Sequence, residues 1–129
     1  MPRVSAAFFA MTTIYLLIGM MWGQYMGASE DHTLYPAHAH LNLAGGVVSA
    51  IYGTFYALTA QTYSVRLAWI NFVLASAGVV LMIGSLTLFL SHGNDPAYLP
   101  TMITGEVLTT GSMLLFGFSV LRELLRARA

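Results

Sequence analysis

Between Tyr35 and Tyr63 the chain reads YPAHAHLNLAGGVVSAIYGTFYALTAQTY. No Asp, Glu, Lys or Arg interrupts this stretch, and at about 1.5 Å per residue it is long enough to cross a hydrocarbon layer of about 30 Å. Pro36 suits the first turn of a helix, where its missing N–H costs nothing. The stretch therefore predicts a membrane-spanning helix, and three further apolar runs make the same prediction: Val4 to about Ala28, Leu67 to Ser91, and Pro100 to about Leu121. The expected fold is an all-α integral membrane four-helix bundle, one domain over 1–129 with spans at about 4–28, 36–63, 67–91 and 100–121.

Composition agrees. Of the 129 residues, 57% are hydrophobic and 8% charged, against about 25% charged in soluble domains. The first run exceeds the roughly 7–15 apolar residues of a signal-peptide core and reads as a retained span. A net charge of zero gives no basic field for nucleic acid. Cysteine is absent, which removes disulfides, thiolate ligands and Cys-held clusters.

In a four-span chain the basic residues Arg3, Arg66, Arg122, Arg126 and Arg128 all fall on one side, and the positive-inside rule makes that side cytoplasmic. Both termini are then cytoplasmic. The Ser29–Tyr35 and His92–Leu99 connections, with all four histidines, belong to the other side, the periplasmic face of a bacterial inner membrane.

Small residues mark tight packing. Gly19, Gly23 and Gly27 repeat every four residues, as do Gly45, Ser49 and Gly53, while Asn71, Gly78, Ser85 and His92 repeat every seven. Such stripes let helix backbones approach closely, within a protomer or between protomers.

His38 and His40 open the second helix about 200° apart around its axis, so one helix cannot offer both to one small ion. In an α-helix His38 shares the face of Asn42, Gly45, Ser49, Gly53 and Tyr56, and His40 the apolar face of Ala44, Val47, Ile51 and Leu58. His92 closes the antiparallel third helix at the same level, so two facing helices present imidazoles, an arrangement that suits a heme or part of a metal site. Glu106 lies about 9 Å into the fourth helix among Thr104, Thr109 and Thr110, a depth at which a carboxylate is a functional candidate as proton relay, metal ligand or histidine partner. His32 sits in the loop with Glu30 and Asp31. The eight methionines suit adaptable packing, with Met26 and Met102 near enough to the histidine end to ligate.

The segment Pro36-Ala37-His38-Ala39-His40-Leu41-Asn42, followed by Tyr52-Gly53-Thr54-Phe55-Tyr56, resembles the second transmembrane helix of heme–copper oxidase catalytic subunits, with the nitric oxide reductase branch most similar. It also resembles short four-span bacterial membrane proteins with a His-Ala-His-Leu-Asn-Leu opening. The resemblance implies heme b, with His40 as an axial ligand. It leaves the second ligand open among His92, His38 and a residue of another copy. It covers roughly a quarter of the chain and does not bring the copper histidines or the remaining spans of a catalytic subunit.

Three functions compete. The first is a small b-type heme protein for electron transfer, ligand sensing or heme handling. The second is a copper or zinc site drawing on His38, His40, His92, Glu106 and His32. The third is a cofactor-free assembly subunit. Lipid, a second or third copy of the chain, and a larger respiratory complex are the expected partners. No nucleophile triad, phosphate loop or paired-carboxylate signature supports a particular enzyme reaction.

Overall fold

The computed structural model describes residues 1–127; Arg128 lies outside the described residues. Those residues are almost wholly helical, and four helices are long and apolar enough to cross a membrane. The first is Arg3–Ser29, the second the continuous span Tyr35–Leu58, the third Val65–Ser91 and the fourth Leu99–Ala127. Local chemistry sets their starts. Pro36 occupies the first turn of the second helix; Ser64 Oγ accepts the Leu67 N–H; and Asp95 accepts the Ala97 N–H before a 3₁₀ turn, Pro96–Tyr98, feeds the fourth. Glu30 ends the first helix in the left-handed region.

The second helix ends at Leu58, five residues before the apolar run does, in a Thr59–Ser64 turn. The fourth continues to Ala127, because its final Leu, Arg and Glu residues are good helix formers even where the hydrophobic run has stopped.

The helices pair one with two and three with four, and glycine permits both approaches. A Cβ at Gly105 would strike the backbone of Met82 and Gly78, and one at Gly78 would strike Thr109. Gly19 makes room for Asn42, and Gly23 for the His38 ring. Gly45 lies against Tyr15, and Gly53 against Phe8 and Phe9, where Ser5 donates to the Gly53 carbonyl. Gly19 and Gly23, the Gly45–Ser49–Gly53 stripe and the Asn71–Gly78–Ser85 seam thus serve packing inside the chain, whereas Gly27 has nothing within 4 Å of an added Cβ and His92, the last residue expected in the seam, is exposed.

The core divides along the chain axis. Toward the arginine end, Phe8, Tyr52, Tyr56 and Ala68 are fully buried, with Phe72 and Phe116 packed edge-on against Phe8 and Tyr56. Nearer the histidine end a smaller cluster of Leu41, Val79, Met82 and Ile83 takes over.

One departure from regular helix follows directly on His38 and His40. Leu41–Val47 is π-helical, and the amide of Val48 bonds the Leu43 carbonyl, five residues back. The segment contains Gly45 and Gly46, which have no Cβ to crowd the wider turn, and Thr12 Oγ1 donates to the Gly46 carbonyl at 3.2 Å. Gly45, Ser49, Tyr52, Gly53 and Tyr56 are buried, and toward the start of the helix His38 and Asn42 are half-buried. The face expected to run from Tyr56 through Asn42 to His38 nonetheless stays against the first helix, Asn42 at Gly19 and His38 at Gly23, while His40 shares the exposed side with Val47, Ile51 and Leu58.

Candidate functional site: outward imidazoles at the histidine end

Each histidine has a different environment. His38 is half-buried against the first helix, its ring edge-on to Trp22 at 6.4 Å, tilted toward Tyr35 at 6.4 Å, and covered by the Asn42 amide nitrogen, 3.2 Å from Nε2. His40 is exposed, with Nδ1 2.7 Å from the Pro36 carbonyl oxygen. His92 is also exposed, with Nδ1 2.8 Å from the Leu88 carbonyl and its ring 5.4 Å from that of Tyr98. His32 is exposed in the loop.

The bonds of His40 and His92 fix a tautomer. A carbonyl oxygen only accepts, so Nδ1 carries the proton in the neutral ring and Nε2 keeps its lone pair. Each ring is thus held to its own helix one turn back and offers Nε2 away from that bond. Imidazoles that ligate metals show this arrangement, since the anchoring carbonyl orients the ring and raises its basicity. Neither ring is buried between helices: both lie on the outer surface, where facing helices were expected to enclose them.

Glu106 is likewise exposed. Two of the three threonines around it are committed elsewhere, Thr104 Oγ1 to the Pro100 carbonyl at 2.8 Å and Thr109 Oγ1 to the Gly105 carbonyl at 2.9 Å. The carboxylate opens instead into a shallow groove with Val107, Thr110, Gly111 and Leu114. Among the described residues, no three or more His, Cys, Asp or Glu side chains gather closely enough to share an ion. His38, His40, His92, Glu106 and His32 are therefore not drawn together as a metal site within one chain. Of the two methionines at this end, Met26 is buried and Met102 half-buried.

In the loop, Asp31 accepts from the Thr33 hydroxyl at 2.7 Å and from the Thr33 amide at 3.0 Å. These bonds, aided by the charge of His32, hold its carboxyl below the usual carboxylate range.

Two features escaped the sequence reading. Gln24 is an exposed amide in the first helix, the only Gln or Asn so placed within the four helices, and an isolated amide in an apolar run was a usable signal. The other is a buried network toward the arginine end: Ser112 Oγ lies 2.8 Å from Asn71 Oδ1 and 3.3 Å from the Tyr52 hydroxyl, and Asn71 Nδ2 donates to the Tyr56 hydroxyl at 3.1 Å. Ser49 Oγ, one turn away on the second helix, is buried without a partner among the described residues.

No family model matches the chain, and no curated protein or solved structure matches it. The resemblance of the second helix to oxidase catalytic subunits draws no support from these comparisons and rests on residues 34–63 alone.

Proposed function

We propose that this chain is a small integral protein of the bacterial inner membrane that binds heme b through His40, with both termini cytoplasmic and the histidine end periplasmic. Four helices of spanning length and the confinement of arginine to one end support the insertion. The observation that carries the heme reading is the His40 imidazole, anchored at Nδ1 by the Pro36 carbonyl and exposed at Nε2. It sits about 8 Å below the start of its helix, above the exposed apolar side chains of Leu43, Val47 and Ile51. That wall suits the face of a porphyrin, and the anchored ring suits an axial ligand.

Because His40 faces outward, a heme held by it would be covered on its far side by whatever packs on the second helix. His92, which has the same tautomer, His38 or a residue of another copy would supply the remaining ligand. When bound, heme supplies reversible one-electron chemistry or a gas-binding iron. The chain's own contribution is to orient Nε2, keep Nδ1 protonated and supply an apolar surface that sheds water. Electron transfer, ligand sensing and heme handling are the roles open to such a site.

Detergent-purified protein from cells supplied with heme and iron is expected to show a Soret band that shifts on dithionite reduction and is lost in His40→Ala. A wild-type sample without a Soret band, or an unchanged band in His40→Ala, overturns the reading.

A further inference from the structure

Arg66 opens a groove far from the histidine end. The groove is lined by Arg66, Trp69, Ile70, Val73 and Leu74, which follow the third helix at i, i+3, i+4, i+7 and i+8 and so form one face. From Arg66 to Leu74 that face runs about 12 Å along the axis, from the first turn of the helix toward the middle of the span. Its volume of about 350 Å³ falls within the range of small-ligand sites. Apart from the guanidinium, the lining is apolar.

The arginine has no anion of its own. Arg66 is exposed, and no ion pair holds it among the described residues. Of the five acidic side chains in the sequence, only Glu123 lies at the arginine end. It is already engaged, accepting from the Thr62 hydroxyl at 2.5 Å and standing 3.6 Å from Arg126 Nη1. A second copy packed alongside in the same orientation would bring only that same engaged carboxylate to this level. Such a contact would leave the guanidinium covered without a partner, which is costly.

We infer that the groove seats an anionic diacyl phospholipid, its phosphate on Arg66 and one acyl chain along Ile70, Val73 and Leu74. A guanidinium meets two phosphate oxygens at once, and its aliphatic stem lies along apolar surface while the head stays at the water boundary. Trp69 stands one turn further in, 38% exposed, with its ring braced edge-on against Phe72 at 5.5 Å. Its indole N–H, a donor only, suits the ester oxygens at that depth, where tryptophan is enriched in membrane proteins. A net negative headgroup is favoured over a zwitterionic one, because all five arginines gather at this end against one carboxylate and repel a headgroup cation. The groove of Ile51, Phe55, Leu58 and Phe116 carries no charged residue and gives no such preference. The inference rests on the membrane insertion proposed above but not on heme.

The chain has two tryptophans, so Trp22→Phe leaves Trp69 as the fluorescent reporter. The full chain with this substitution is reconstituted into vesicles of phosphatidylcholine and phosphatidylglycerol, with bromine on the acyl chains of one lipid or the other. Brominated phosphatidylglycerol is expected to quench Trp69 several-fold more strongly, at equal mole fraction, than brominated phosphatidylcholine. Arg66→Gln should bring that ratio close to one while brominated phosphatidylcholine still quenches. Arg3→Gln, which removes the same charge at the same end, should leave the ratio as it was. Equal quenching by the two lipids, a preference that survives Arg66→Gln, or one lost to the same extent in Arg3→Gln overturns the lipid site and leaves the insertion standing. Quenching by neither lipid overturns the insertion, and the site with it.

Discussion

The two ends of this bundle satisfy polar groups in opposite ways. Toward the arginine end, Asn71, Ser112, Tyr52 and Tyr56 bond one another across three helices and are sealed by aromatic rings. Toward the histidine end, His40, His92 and Thr104 each bond a carbonyl of their own helix, four residues back, and remain exposed. A cross-helix network fixes tertiary structure and leaves little free to bind. A side chain held by its own backbone contributes little to the fold, but it is oriented and has an atom to spare. One end therefore carries stability and the other presents free side-chain atoms.

The seam between the third and fourth helices supports both ends and is the most sensitive point. Gly105→Leu places side-chain atoms against the Met82 backbone, which cannot yield. The expected loss is about 3 kcal/mol, the upper end of the overpacking range, seen as a large fall in thermal midpoint in detergent. Gly84→Leu, where nothing lies within 4 Å of the added Cβ, should leave that midpoint unchanged.

Asn71→Ala removes the centre of the buried network and should cost about 1–2 kcal/mol, because interhelical bonds in membranes are modest and the stranded hydroxyls add to the loss. His40→Ala and His92→Ala should each stay within about 0.5 kcal/mol of the parent, as exposed substitutions do. If thermal unfolding finds a histidine variant as destabilised as Asn71→Ala, the division between the ends fails.

A smaller effect is expected at Gly23→Ala, whose Cβ would lie 3.1 Å from the tip of the His38 ring. The ring can tilt, so the midpoint should barely move while the fluorescence of adjacent Trp22 changes; an unchanged spectrum would show that the packing there is loose.

Least of all, acid should affect only the loop. Because the Asp31 carboxyl is held below its ordinary range, its bonds to Thr33 stabilise the loop at and above the unfolded carboxylate pKa, about 3.9, and are lost as pH falls through the lowered folded value. Amide exchange at Thr33 should therefore be protected at neutral pH and unprotected in Asp31→Ala, which has no side-chain acceptor, at every pH.

Much of this fold was legible because apolar length is a direct physical requirement. The four runs became four helices, Pro36 fell in a first turn, and Asn71, Gly78 and Ser85 formed one buried seam that His92 does not join. Helix ends were less legible, since Leu58 and Ala127 are set by turn formation and helix propensity rather than by hydrophobicity. The face of His38, Asn42, Gly45 and Gly53 was legible, since all four meet the first helix. The π-helical Leu41–Val47 segment within it was not, having no charge or proline to announce it, and neither was the outward exposure of His40 and His92, which depends on how the helices are arranged around the bundle. Glu106 was recognised by depth, but its outward facing, beside the Gly105 that packs on Met82, needed the helix pairing.

If heme binds at the end opposite the buried network, as proposed, binding and stability separate in one paired measurement. Hemin is titrated into the detergent-solubilised chain, and Soret absorbance and thermal midpoint are recorded for the parent, His40→Ala and Asn71→Ala. His40→Ala is expected to lose the Soret band and keep its apo-protein midpoint, while Asn71→Ala keeps the band and loses several degrees. Hemin binding that is indifferent to His40, or a His40→Ala apo-protein that melts with Asn71→Ala, overturns the division.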